Sequence, residues 1–389
     1  FLSEFIVLKR YFPGRKYMQT IKTAVIGLGV ISEVHFDYFK NLEELKLTAV
    51  CDINPERVKT AAEKYRVKGY TDYRNMFEQE ALDAVLILTD HFSHYPIAMC
   101  AFEHNVHVLC EKPITVRSSQ AQEMINMAGK KNLVLAVDFC LRSIPHYKKI
   151  ADIIHHRLGK ILRADIIETR YFRTMAYYKS AVWRGTWKGE GGGILMNQAP
   201  HILDLIYWWF GQPEKISARL ANKHHDIEVE DDVEIFMTYP EDARLRFYSN
   251  TWETPAGEYI YIVGEQGILS VNDNEMKFSA FERKIKEIIN SPSDSLKDQI
   301  SHTEKIEKET IPFSSQYEIT KNFIDKLLGK TENLLVSGKD AAGSLLMANA
   351  AVVSHMQKKE IILKNFHPSE FDQQLEMLTS GKQRLTSRD

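Results

Sequence analysis

Thr23-Ala24-Val25-Ile26-Gly27-Leu28-Gly29-Val30-Ile31-Ser32 is the stretch on which the fold reading turns. An apolar run stops at a glycine, a G-x-G-x-x-S pattern follows, and a helical pattern continues to Phe39. A strand that runs into glycines and out into a helix opens a βαβ unit. Gly27 suits the tight turn, and Gly29 lets backbone come close to a bound diphosphate. Ser32 stands where Gly or Ala more often lets helix and strand pack; being small, it nearly meets that demand. The free N–H groups of the first helical turn, at Val30 and Ile31, and the positive end of the helix point to the same spot. Taken alone, a G-x-G-x-x-S match is usually only a turn, so the surroundings must decide.

The surroundings repeat the pattern. Leu45–Asp52 is a second apolar run, closed by the turn signal Asp52-Ile53-Asn54-Pro55, and a short strand is expected at Tyr70-Thr71. Ala84–Thr89, His107–Cys110 and Leu133–Cys140 are further runs, with helical segments between them. Strands alternating with helices of this length predict a parallel sheet covered on both faces, the doubly wound Rossmann class. Asp52 ends the second run, 23 residues after Gly29. An acid there accepts hydrogen bonds from the ribose hydroxyls of a dinucleotide and repels a 2′-phosphate; the next residue, Ile53, is no arginine. NAD is therefore favoured over NADP, with a plain turn or capping role for Asp52 as the minority reading.

The pattern changes near residue 140. A helix over 147–158 ends at Gly159, a strand-like run covers 161–172, and Tyr177 to Gly193 is polar, aromatic and glycine-rich. Ile194–Phe210 reads as one buried helix, apolar nearly all round. Four strands are expected at 233–239, 244–252, 258–263 and 268–272; their short links predict an antiparallel or mixed sheet. Residues 282–310 are densely charged and read as an exposed insertion, followed by helices over 316–328 and 339–357 with a capping box at Ser337 and Asp340. Phe371, Leu375 and Leu378 keep helical spacing in the tail. The expected scheme is an N-terminal extension (1–17), a Rossmann NAD-binding domain (18–140) and a C-terminal α+β domain with an open, largely antiparallel sheet (141–389).

Composition narrows the partners. With 50 Lys+Arg against 52 Asp+Glu the net charge is −2, which gives no general attraction for nucleic acid or anionic membrane. The four cysteines form no C-x-x-C pair, so no metal site is expected, and Cys51, Cys110 and Cys140 read as small buried hydrophobes in a reducing, cytoplasmic setting.

Two clusters carry chemistry. Glu111-Lys112-Pro113 follows the run 107–110, and ligands bind at the carboxyl ends of such strands. A cis bond before Pro113 would aim Lys112 at the crevice; a turn lysine on the surface is an equal reading from position alone. The second cluster is Gly191-Gly192-Gly193-Ile194-Leu195-Met196-Asn197-Gln198-Ala199-Pro200-His201-Ile202-Leu203-Asp204. At helical spacing Asn197, His201 and Asp204 would share a face. His201 reads either as a general base, with an ordinary pKa of about 6.5, or as a buried His satisfied by Asp204; the residues alone lean slightly to the second.

Together these motifs resemble the Gfo/Idh/MocA oxidoreductases, the glucose–fructose oxidoreductase and inositol dehydrogenase type, from about residue 20 to about 363. The resemblance joins the G-x-G turn, Asp52, Thr89 with His94, Glu111-Lys112-Pro113, Arg142, Leu158-Gly159, Trp183-Arg184 and Gly191–Asp204. It implies hydride transfer between a secondary hydroxyl of a sugar, glycoside or cyclitol and NAD. His201 would take the hydroxyl proton, and Lys112 would stabilise charge on the same oxygen. The cofactor would be held by Gly27, Gly29, Val30, Ile31, Asp52, Ile53, Thr89, His94, Glu111, Lys112, Arg142 and Trp183. Substrate would meet Asn197, Gln198, Tyr177, Tyr178 and Arg184, with Trp187 as a further stacking surface. A homodimer or higher homo-oligomer through the C-terminal sheet is implied, with late helices returning to the first domain. Two positions depart from the family: Asn197 stands where Asp is frequent, and Asp90 where Pro follows the threonine. Competing readings are an NAD-dependent glycosidase acting by transient oxidation, with a Tyr in the 170s as extra base, and a non-catalytic NAD-binding regulator.

Overall fold

The computed structural model describes residues 20–291, 300–307, 309 and 314–385. The expected extension at 1–17 lies outside them, as do 292–299, 308 and 310 of the charged segment. Strands β1 (Ile21–Ile26), β2 (Leu45–Cys51), β3 (Lys68–Tyr70), β4 (Ala84–Ile87), β5 (His107–Cys110) and β6 (Leu135–Val137) form a parallel sheet in the order β3-β2-β1-β4-β5-β6. The order reverses between β1 and β4, so the carboxyl ends of these two strands open a crevice, the place where doubly wound sheets bind ligands. The strands are short and buried on both faces; all four residues of β4 are buried.

The second sheet has nine strands: β7 (Ile161–Glu168), β8 (Lys215–Ala221), β9 (Asp232–Tyr239), β10 (Ala243–Asn250), β11 (Glu258–Gly264), β12 (Gly267–Asn272), β13 (Met276–Phe281), β14 (Ile300–Ile306) and β15 (Ile361–Ile362). Their order is β14-β13-β12-β11-β7-β10-β9-β8-β15, and only β7 and β10 pair in parallel. The sheet is thus mixed and largely antiparallel, as expected. One face is buried and the other carries the alternate side chains, including Phe236 and Tyr259 at 45% and 40% exposure.

Three expectations need correction. β8, β13, β14 and the two-residue β15 were not anticipated; β8 alternates buried Ile216, Ala218 and Leu220 with Lys215, Ser217 and Arg219, which dilutes its apolar signal. The described part of the charged 282–310 segment is largely exposed but not merely inserted, because β14 adds an edge strand beside β13. The helix expected at Ile194–Phe210 begins only at Pro200. Before it the chain turns tightly: Met196 and Asn197 both donate to the Gly193 carbonyl, and Ala199 to that of Ile194. Pro200, which has no N–H to give, starts the helix. Asn197 and His201 therefore do not share a helical face.

The late helices form as read. Ser337 and Asp340 make the capping box of helix Gly338–Gln357, and helix Pro368–Thr379 docks with Phe371 and Leu375 fully buried. A single apolar core runs through both halves. All four cysteines are free, with Cys51, Cys110 and Cys140 buried. Among the described residues no helix is long and apolar enough to cross a membrane.

Candidate active site

At the crevice the glycine turn does two different jobs. Gly27 has φ +96°, and a Cβ there would lie 2.5 Å from the Leu88 carbonyl oxygen, so only glycine fits. Gly29 meets nothing within 4 Å where a Cβ would stand; that side opens to the crevice. No side chain caps the helix Val30–Phe39, which leaves its first N–H groups to a ligand. Ser32 is buried and donates to the Gly29 carbonyl at 2.6 Å. Val30 and Ile53 flank the crevice at 90% and 92% exposure. Asp52 accepts from Leu28 N at 2.7 Å and Asn54 N at 2.8 Å, with Arg57 3.9 Å away. Its carboxylate holds the glycine turn, and it retains lone pairs for further donors. This set fits the ribose and diphosphate of NAD.

Glu111-Lys112-Pro113 leaves β5 with a cis Lys112–Pro113 bond. Lys112 Nζ donates to the Asn197 backbone carbonyl at 2.7 Å and reaches its side-chain oxygen at 3.4 Å. Burial lowers the Lys112 pKa, against the pull of Glu111, Cys140 and Glu190. His201, in the first turn of helix Pro200–Phe210, packs edge-on against Phe139, and its buried Nδ1 has no partner. Burial and then Lys112 push its pKa down to about 3, so it is neutral near pH 7. Asp204 does not serve it. That carboxylate binds Arg142 through two bonds, at 2.7 and 2.8 Å.

The remaining residues divide. Tyr177 accepts from Asn197 Nδ2 at 3.1 Å and from Arg184, and the guanidiniums of Arg184 and Arg173 lie over its ring at 4.3 and 4.6 Å. Trp183 packs on His91, tying the two halves together beside Thr89 and Asp90. Asp90, the departure from the family pattern, caps the helix His91–Glu103 by accepting from Ser93 N and Oγ. Five expectations are corrected. Arg142 is spent on Asp204, with 4% of its side chain exposed, and so is not open to a cofactor. His94 is fully buried and donates Nδ1–H to the Pro113 carbonyl at 2.8 Å; it braces the Lys112 loop. Tyr178 turns its hydroxyl to Thr251 at 3.2 Å, and it and Gln198 are buried rather than presented at the surface of the crevice. Trp187 is buried, donating Nε1–H to the Glu228 carbonyl.

Reading the sequence missed Glu190, Arg173, His91 and the cluster behind Lys112. In that cluster His35 Nε2 lies 3.2 Å from Glu111 and 3.7 Å from Asp138, and their ligand atoms fall within 4.8 Å of one another. Burial alone would raise the Glu111 carboxyl, but His35 and Lys112 bring it below the usual range. Burial and Glu111 hold Asp138 well above it.

A two-part chain with a dinucleotide crevice, a lysine from one half and a histidine from the other has the build of a nicotinamide-dependent dehydrogenase. The family models for the NAD-binding Rossmann fold of the oxidoreductase family and for the GFO/IDH/MocA C-terminal domain match residues 21–139 and 147–270. The chain belongs to the GFO/IDH/MocA oxidoreductase family. It is 30% identical over 207 residues to D-glucoside 3-dehydrogenase of Escherichia coli, covering 52% of this chain and 57% of that one. It is 28% identical over 202 residues to inositol 2-dehydrogenase of Salmonella typhimurium, covering 50% and 56%. The matched stretch thus spans little more than half of each relative. Among solved structures, the WlbA dehydrogenase of Chromobacterium violaceum in complex with NADH and UDP-GlcNAcA superposes with a TM-score of 0.76 at 26% identity, covering 90% of this chain and 97% of that one.

Proposed function

We propose that the protein oxidises a secondary hydroxyl of a sugar, glycoside or cyclitol to the ketone, with NAD as hydride acceptor. The observation that carries this is the meeting of Lys112, from the end of β5, with an unpartnered, neutral His201 from the other half. His201 takes the hydroxyl proton. Lys112, held by the Asn197 carbonyl, stabilises the negative charge left on that oxygen. NAD, when bound, would supply the hydride acceptor. Gly27, Gly29, Val30 and Ile31 would hold its diphosphate and Asp52 its ribose, with Thr89 and Trp183 at the nicotinamide end. With no carboxylate on His201 the base is weak, so proton removal runs together with hydride departure. Tyr177, Arg184 and Asn197 would offer polar groups to the sugar, with the Tyr177 ring held between the Arg184 and Arg173 guanidiniums. The relative named D-glucoside 3-dehydrogenase makes oxidation at carbon 3 of a glucoside the first case to try. The outer face of the second sheet, with Phe236 and Tyr259 exposed, is the surface for a homodimer or larger assembly. A panel of sugars, glycosides and inositols with NAD and NADP, followed by absorbance of the reduced nicotinamide and identification of the ketone, tests the reading. Reduction of NAD by none of them, in protein that binds NADH, would refute it.

A further inference from the structure

Asn197 brings no charge to Lys112, but a carboxylate stands one step behind it. Glu190 is the last residue of the short helix Trp187–Glu190 and is fully buried. Its Oε1 accepts from Asn197 Nδ2, and its Oε2 from Gly185 N at 2.7 Å. Its backbone carbonyl accepts from His91 Nδ1 at 2.9 Å, across to the first half of the molecule. Asn197 then turns both its oxygens to Lys112 Nζ. The segment is wedged in place: a Cβ on Gly189 would lie 2.4 Å from the Trp183 carbonyl oxygen, and one on Gly191 2.4 Å from Val116 Cγ1. A buried acid with so little freedom is an expensive thing for a fold to keep without a partner for its charge.

We propose that Glu190 is the positioning acid of this site: through Asn197 it sets where the Lys112 ammonium stands, and its carboxylate supplies the negative charge that Asn197 lacks. The role rests on the reading of Lys112 and His201 given above. Glu111, engaged by His35, pulls on the Lys112 charge more strongly than Glu190 does, but it does not touch Asn197; Glu190 is the acid that fixes the residue to which Lys112 donates. Burial holds the Asp138 carboxyl and the Cys140 thiol up, and Arg173, His91 and His201 carry positive or no charge. Burial raises the Glu190 carboxyl, and the Gly185 N–H, Asn197, Arg184 and Lys112 oppose that rise.

The test is Glu190→Gln, alone and combined with Asn197→Asp. The single variant keeps the shape and loses the charge, so the Lys112 amine should deprotonate at a lower pH. Two readouts follow it: the alkaline limb of the kcat–pH profile, and the pH midpoint of Lys112 acetylation by trace acetic anhydride, read by peptide mass spectrometry. Both should move down together, kcat should fall at least about tenfold, and the acid limb should stay. Asn197→Asp in the same chain returns a carboxylate to Lys112 and should restore the midpoint. Glu190→Asp, with charge but short reach, should lower kcat and leave the midpoint near its original place. An unmoved acetylation midpoint in a folded Glu190→Gln protein, or no return in the double variant, would overturn the proposal. The acetylation readout needs no turnover, so it decides the matter even where no polyol is oxidised, a result that would count against the dehydrogenase reading instead.

Discussion

The two crevice glycines should fail in opposite ways when each becomes alanine. Gly27→Ala puts a methyl 2.5, 2.6 and 2.8 Å from the Leu88 O, Leu88 C and Thr89 N atoms, all backbone at the exit of β4. It also asks an L-residue to hold φ +96°. The dihedral costs about 1–2 kcal/mol, and forcing the packed backbone apart adds about 1–3 kcal/mol. The total, about 2–5 kcal/mol, is a large part of the roughly 5–15 kcal/mol by which a domain is stable. Gly29→Ala has the reverse signature. Its φ of −82° suits any residue, and its methyl meets no protein atom within 4 Å. Stability should change by less than about 1 kcal/mol, as at any helix N-cap where Ala replaces Gly. The methyl instead fills the approach of the diphosphate, and NADH should bind at least tenfold more weakly, about 1.4 kcal/mol. Urea unfolding and a fluorescence titration with NADH, run on both variants, separate the effects. Wild-type unfolding of Gly27→Ala, or wild-type NADH affinity of Gly29→Ala, would refute the assignment of this turn.

Lys112→Ala and His201→Ala should each lower turnover at least about a hundredfold while NADH affinity stays within a few-fold, because both act on the substrate oxygen; near-parental turnover of either variant in the steady-state assay removes its role. Asp204→Ala leaves Arg142 buried with only Asp340, at 3.7 Å, as counter-charge; a loss of about 3 kcal/mol is expected in urea unfolding, and less than about 1 kcal/mol would argue against this pair as a structural tie. Glu230 is fully buried, and burial lifts its pKa to about 7 from 4.5. A raised carboxyl favours the fold at low pH and loses that advantage as pH climbs from 4.5 through 7, because the unfolded chain gives up its proton first. Glu230→Gln, which has no proton to lose, should therefore gain on the wild type by about 3 kcal/mol between pH 4 and pH 8; a stability difference that does not change with pH would refute this.

The first sheet was legible because its strands are buried on both faces and end at glycines or turn signals, so each run stands out as a block. β5, His107–Cys110, falls where it was read. The second sheet was less so: β8 alternates apolar with polar residues over a short span, and β14 is apolar only at its two ends, so both lose contrast. At the site, Lys112 and His201 could be picked out by type and position. Their surroundings could not, since the Asp204–Arg142 pair and the Glu190–Asn197 bond join segments whose spacing along the chain carries no periodic signal. Glu190 did leave one trace: an acid set between Gly189 and three glycines, where no helix face or turn needs a charge.

The positions of Lys112 and Asn197 depend on two sheets keeping a fixed distance, and one helix does most of this. Gly338–Gln357 is hydrogen-bonded to both. On one side buried Asn349 accepts from Ser118 N at 2.9 Å and donates to the Val116 carbonyl at 3.2 Å, while Ser337 bridges to Ala136 in β6. On the other, Ser354 Oγ and His355 Nδ1 accept from Ala218 N and Leu220 N of β8, at 3.1 and 3.2 Å. The tail helix adds Asp372 against Arg117 at 3.3 Å. A helix tied to both halves resists their opening, and on the reading proposed above it would hold the lysine and histidine preorganised. The loop between Ser180 and Thr186 leaves Val182 fully exposed and carries Trp183 over to His91. On the reading proposed above, substrate selection would fall to that loop and the tyrosine–arginine stack beside it, and the chemistry to the helix-tied part.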